Sequence, residues 1–164
     1  MFMTMGENGL DCQLREMDTE DLPQVLIIEQ ACYPQPWSAQ MFQHEMDNHL
    51  AHLVVCEQNG QVLGYICFWH VASEVEIHNV ATKPTCQGHG IGGKLMTSVL
   101  NYVANHKVNS VFLEVRSSNT PAIRLYEKFC FKPTSLRKKY YADGEDALLM
   151  EWRQEPSGFG KKER

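Results

Sequence analysis

The run Gln87-Gly88-His89-Gly90-Ile91-Gly92-Gly93 constrains the fold of this chain more than any other stretch. A β-rich segment, Glu74 to Ala81, precedes it, and an amphipathic helix beginning near Ile91 follows. The glycines therefore mark a strand-to-helix junction. Without Cβ atoms they expose consecutive backbone N–H groups. Those groups stand at the positive end of a helix dipole, where phosphate oxygens are readily held. The loop lacks the Lys-Ser/Thr ending of a nucleoside-triphosphate loop and the full glycine spacing of a dinucleotide fingerprint. A tight turn that merely lets the helix pack closely is the alternative, and the flanking sequence has to decide between them.

Upstream, a short strand is expected around Cys12 to Leu14, followed by an N-cap at Asp18-Thr19. Leu22, Val25, Leu26 and Cys32 then fall near one helical face, which Glu29 interrupts. Tyr33-Pro34-Gln35-Pro36-Trp37 ends that helix, because two prolines cannot continue it. Ser38 caps a second short helix with Met41, Phe42 and Met46 on one side. Strands Ala51 to Glu57 and Val62 to His70 meet across Asn59-Gly60, a strong hairpin signal. Past the glycine turn, Ile91, Leu95, Val99 and Val103 form a helical stripe, and Val111 to Val115 reads as a buried strand. Asn119 caps a helix from Thr120 to about Cys130, with Pro121 in its first turn. Strands near Thr134 to Tyr141 and Ala147 to Trp152 close the chain through Asp143-Gly144.

The resulting order is β-α-α-β-β-β-α-β-α-β-β, a mixed α/β sheet with an antiparallel front half. It is not the alternating order of a doubly wound nucleotide fold. One domain is expected over residues 12–152, with flexible ends at 1–11 and 153–164.

The 164 residues are enough to bury roughly two-thirds of the unfolded surface. No apolar run nears the ~20 residues that cross a bilayer, so no membrane association is expected. Met1 to Asp11 shows no basic and apolar leader pattern, and a cytoplasmic protein is expected. A net charge of −5 argues against direct nucleic-acid binding, which needs a basic face. Arg137-Lys138-Lys139 and Lys161-Lys162 read as a solvated edge and tail. The six cysteines contain no C-x-x-C pair and are expected to be reduced and structural. His44-Glu45 and His49 miss metalloprotease spacing by one residue, so no metal is expected.

With Gln87-x-x-Gly90-x-Gly92 at its junction, this order of elements resembles the GNAT acetyltransferase superfamily. The resemblance implies a mostly antiparallel sheet splayed at the cofactor site, with flanking helices. It also implies that the backbone of Gln87, Gly88, His89, Gly90, Ile91, Gly92 and Gly93 holds the pyrophosphate of acetyl-CoA. Val80, Ala81 and Thr82 would then lie beside the acetyl-pantetheine arm. Leu113-Glu114-Val115-Arg116-Ser117-Ser118-Asn119, Ala122-Ile123, Leu125-Tyr126-Glu127 and Phe129-x-Phe131 are similar to the RimI branch. Pro36-Trp37-Ser38 and Lys138-Lys139-Tyr140-Tyr141 resemble that branch too. Its members acetylate the N-terminal amine of a small-subunit ribosomal protein. Two departures stand out: Gln35 replaces the aromatic usual before Pro-Trp, and Cys130 sits where glycine is usual.

Acetyl transfer asks that an ammonium lose a proton, a thioester carbonyl be polarised, and a departing thiolate be protonated. The RimI resemblance implies Glu114 as base and Tyr126 as acid. A strand carboxylate can take a proton through water, and a phenol on the following helix can return to the same cleft. Ion pairing of Glu114 with Arg116 and core packing of Tyr126 are the structural alternatives. Asn119 reads both as helix cap and as a contact to acetyl-CoA, and His78 is the second candidate base. At pH 7 roughly one in seven α-amines (pKa ~7.8) is neutral, against roughly one in 2,500 lysines (pKa ~10.4). A single carboxylate is therefore better matched to an N-terminus. Pro36, Trp37, Tyr140 and Tyr141 offer aromatic and rigid surfaces that would flank a substrate backbone. Satellite-core packing is the other reading of these four.

Overall fold

The computed structural model describes residues 11–155; of the ends expected at 1–11 and 153–164, residues 1–10 and 156–164 lie outside the described residues. Seven strands, β1 (Gln13–Glu16), β2 (Ala51–Gln58), β3 (Gln61–Val71), β4 (Glu74–Thr82), β5 (Ser110–Arg116), β6 (Lys132–Arg137) and β7 (Ala147–Arg153), form one sheet. Its order is β1-β2-β3-β4-β5-β7-β6. The helices are α1 (Leu22–Cys32), α2 (Ala39–Met46), α3 (Ile91–Ala104) and α4 (Thr120–Lys128). The observed order matches the expected one, and β7 carries regular structure through Arg153, into the segment expected to be a tail.

Local chemistry accounts for most of the boundaries. Asn59 and Gly60 both take positive φ, 51° and 79°, the geometry that closes a two-residue hairpin with the strand twist. Asp18 caps a 3-10 turn ahead of α1, accepting from the Glu20 N–H, while Asp21 reaches back to the Asp18 N–H. Ser38 accepts from the Met41 N–H and starts α2. Asn119 does the same for α4 through Ala122.

Two cores sandwich the sheet. On one face Ile91, Leu95, Val99 and Val103 of α3 pack with Leu113, Tyr126 and Met150. On the other, Val25 and Ile28 of α1 and Phe42 of α2 pack with Val55, Tyr65 and Ala81. Met41, expected beside Phe42, is instead 47% exposed. Its neighbour Phe42 takes the inward position, packing against Trp37 and Tyr65.

The sheet is antiparallel except where β4 runs parallel to β5. That pairing stops at Ile77↔Leu113, so β4 continues to Thr82 without a partner on that side. A bulge falls just there. Register steps from Cys67↔Asn79 to Phe68↔Ile77, leaving His78 as the extra residue. The added twist parts the strands, and the opening between them is the cleft described below.

Three sequence expectations are corrected. Cys12 and Cys56 form a disulfide, where reduced cysteines were expected. Pairing of Leu14 with Cys56 in the β1–β2 ladder brings Cys12, one residue before β1, alongside. Tyr140 and Tyr141 follow a turn at Lys138-Lys139 beyond β6, Tyr141 in a bend, and neither is in a strand; Lys139 takes a φ of 52°. Helix α4 stops at Lys128, and Cys130 adopts a left-handed φ of 67°.

Candidate active site

A cavity of about 190 Å³ occupies the opening between β4 and β5. Val80 and His78 wall it from β4, Glu114 and Arg116 from β5, and Asn119 and Tyr126 from the N-cap and last turn of α4. Trp37 and Tyr141 also line it. The structure thus brings together Glu114, Tyr126, Asn119, Val80, Trp37 and Tyr141, six of the expected site residues. Pro36, Tyr140, Ala81 and Thr82 do not line this cavity. Pro34 and Gln35 contribute from the α1–α2 loop instead. Ala81 faces the opposite core, as strand alternation requires.

The Glu114–Arg116 pair, the structural alternative for Glu114, is absent from the described ion pairs. Glu114 Oε1 lies 3.1 Å from Arg137 Nη1 on β6. Arg116 binds Asp143 at 2.7 Å and Glu145 at 2.9 Å, and its guanidinium lies 4.1 Å from the Tyr141 ring centroid. Glu145 also accepts from the Ser118 backbone, and Asp146 from the Lys139 N–H. These bonds fasten the β6–β7 turn over the cleft. Hydrogen bonding to Glu114 raises the Tyr140 phenol; burial, then the Glu114 charge, raises Tyr141. Burial chiefly pushes the Tyr126 phenol above its ordinary value, with Tyr141 adding to it. The Tyr126 phenol is therefore neutral across the physiological range.

Beyond Ile77 the free edge of β4 is already half used. The Lys83 N–H bonds to Leu63 O, which sets the phase of the ladder and turns Val80 and Thr82 toward the opening. Tyr33 Oη donates to Val80 O, and Cys32 Sγ to Thr82 O at 3.3 Å. With these carbonyls occupied, the edge presents the N–H groups of Val80 and Thr82. It suits a ligand that brings acceptors, such as carbonyl oxygens.

The glycine turn lies beyond the same edge. Gly88 and Gly90 take φ of 79° and 84°, conformations that only glycine adopts without strain. Gly90 is the N-cap of α3 and no side chain caps that end. The first N–H groups of a 14-residue helix are thus left for an outside acceptor. Gln87 Nε2 donates to Thr82 O, tying turn to strand. The pattern fits a pyrophosphate.

His78 lines the cleft with its ring 4.4 Å from that of Trp69. Its Nε2 is buried, has no hydrogen-bond partner, and lies 3.6 Å from Glu76 Oε2. Sequence reasoning missed Glu29. It is 1% exposed on α1, accepts from the Trp37 N–H and from Asn79 Nδ2, and is hydrogen-bonded by Tyr65 Oη. A carboxylate interrupting an apolar stripe was the available signal. No cluster of potential metal ligands occurs among the described residues.

Residues 22–131 match the model of the acetyltransferase (GNAT) family. The chain belongs to the GNAT family. A Bacillus subtilis protein, provisionally named as a ribosomal protein bS18-alanine N-acetyltransferase, is 40% identical over 139 residues, covering 84% of this chain and 92% of that one. The Escherichia coli ribosomal protein bS18-alanine N-acetyltransferase is 32% identical over 140 residues, covering 84% and 94%. A crystal structure of the Escherichia coli ribosomal-protein-S18-alanine N-acetyltransferase superposes with a TM-score of 0.82 at 30% identity, covering 90% and 97%. The splayed β4–β5 opening and the glycine turn are thus set in a GNAT framework. No described helix is long and apolar enough to cross a membrane.

Proposed function

We propose that this chain transfers the acetyl group of acetyl-CoA to the N-terminal α-amine of a protein, and that the substrate is a ribosomal protein beginning with alanine. Residues 12–152 would act as one acetyltransferase domain. The observation that carries the reading is a single cleft holding a carboxylate and a buried neutral phenol, Glu114 and Tyr126. Relatives named for acetylation of ribosomal protein bS18 support the substrate.

Bound acetyl-CoA supplies an activated acyl group on a sulfur leaving group. The turn from Gln87 to Gly93 would hold its pyrophosphate, with Asn119 beside its arm, and the N–H groups of Val80 and Thr82 would meet its carbonyls. Glu114 accepts a proton from the substrate ammonium, directly or through one water. The amine nitrogen then forms its bond to the acyl carbon as the carbon–sulfur bond breaks. Tyr126 gives its proton to the departing sulfur and recovers one from the nitrogen. No covalent enzyme intermediate is needed, and the cysteines take no part. Trp37 and Tyr141, from two loops that line the cleft, would flank the substrate backbone, with Pro36 and Tyr140 shaping those loops. An enzyme acting on ribosomal proteins would be cytoplasmic, where Cys12–Cys56 would face a reducing thiol pool.

The test is acetylation of alanine-initiated peptides in the presence of acetyl-CoA. α-Amine labelling is expected; labelling confined to lysine side chains would overturn the assignment.

A further inference from the structure

The cleft has two carboxylates, and only one of them is needed as a base. Glu114 already shares its charge with Arg137 at 3.1 Å. Arg116, the arginine lining the cleft, is bonded to Asp143 and Glu145. Glu29 is different. It lines the same cleft yet is 1% exposed, and its three donors are a phenol, an amide and a peptide N–H, none of which carries charge. Both oxygens accept, the pattern of a carboxylate. Its negative charge is held in place by Tyr65 on β3, Asn79 on β4 and Trp37 in the α1–α2 loop.

A buried anion with neutral partners is costly to keep unless something repays it. Neutral donors satisfy hydrogen bonding but leave the field of the charge in the cleft. Burial weakens screening by solvent, so that field acts on whatever enters. A cationic ammonium is the complementary visitor.

We infer that Glu29 is a specificity-determining residue whose buried charge draws the α-ammonium of the substrate into the cleft, leaving Glu114 to take the proton. The inference rests on the N-terminal acetyltransferase reading. Glu29 acts at a distance through its field, so it selects for a charged amine without touching the reacting atoms. The three donors that hold it also join the α1–α2 loop to the bulged part of β4. This aligns the attracting charge with the peptide-facing Trp37.

The experiment is calorimetric titration of the protein, saturated with CoA, with two hexapeptides. One begins with alanine; the other begins with lactate, whose hydroxyl replaces the ammonium. The native chain should bind the amine peptide about tenfold more tightly. Glu29→Gln should reduce that preference to about twofold or less, with affinity for the lactyl peptide and for CoA unchanged. Tyr65→Phe, which keeps the charge and removes a donor, should retain the preference. So should the double variant Glu29→Gln, Asn79→Asp, which moves the charge to the adjoining residue. If Glu29→Gln alone does not fold by circular dichroism, the triple variant Glu29→Leu, Tyr65→Phe, Asn79→Leu removes the charge together with two of its donors and carries the same comparison. Equal loss for both peptides, or an undiminished preference, overturns the inference and leaves Glu29 a scaffold. A native chain that acetylates α-amines but binds both peptides alike overturns it too. A chain that acetylates no α-amine overturns the functional reading beneath it, and the inference falls with it.

Discussion

At the scale of single residues, Glu114 and Tyr126 are the proposed proton carriers, with His78 the second candidate base. Glu114→Gln should lower kcat by roughly 10²–10⁴-fold, the range for removing a general base, with acetyl-CoA affinity within about twofold. His78→Gln should change kcat only a few-fold, measured in the same steady-state assay. Tyr126 sets the alkaline side. Burial raises its phenol, so it stays protonated beyond the ordinary phenol value of about 10. The kcat profile should therefore show no loss of a catalytic acid near pH 10; a fall there that Tyr126→Phe abolishes would contradict the assignment. Glu114 and Tyr126 were legible because a motif carries both. Glu29 was not, since its partners Tyr65 and Asn79 lie 36 and 50 residues away. A helical stripe records only that a charge interrupts it.

At the scale of elements, turn chemistry was readable wherever a short-range signal decides it. Asn59-Gly60, Ser38 and Asn119 act as their types predict. The end of α4 was less clear, because Cys130 holds a left-handed φ that favours glycine. Cys130→Gly should raise stability by about 1 kcal/mol, seen as a higher melting temperature, by relieving the Cβ penalty. A different layer governs acid sensitivity. His52 stacks on Phe68 and meets Tyr102, with His70 and His106 packed against the same phenol and the charge of Glu16 opposing them. Burial, then the two other imidazoles, lowers His52 below 6.5. The unfolded chain thus binds a proton near pH 6.5 that the folded chain refuses until lower pH. Stability should fall as pH drops through about 6.5, and His52→Phe should flatten that slope in denaturant titrations.

At the scale of the molecule, alternation and element order give the sheet and the place of the glycine turn. They do not give register, and register creates both the opening at His78 and the Cys12–Cys56 bridge. That bridge closes a span of 44 residues, for which loop-closure entropy gives about 4 kcal/mol. Reduction should lower the melting temperature, and Cys12→Ser should lower it equally while removing the response to reductant. The function of the whole molecule turns on which amine the cleft accepts. Mass spectrometry of a peptide panel after incubation with acetyl-CoA tests it most directly, using alanine-initiated peptides that also contain lysine. One acetyl group on the α-amine, lost in Glu114→Gln, is the predicted result. Acetyl groups on lysine side chains with the α-amine untouched would contradict it.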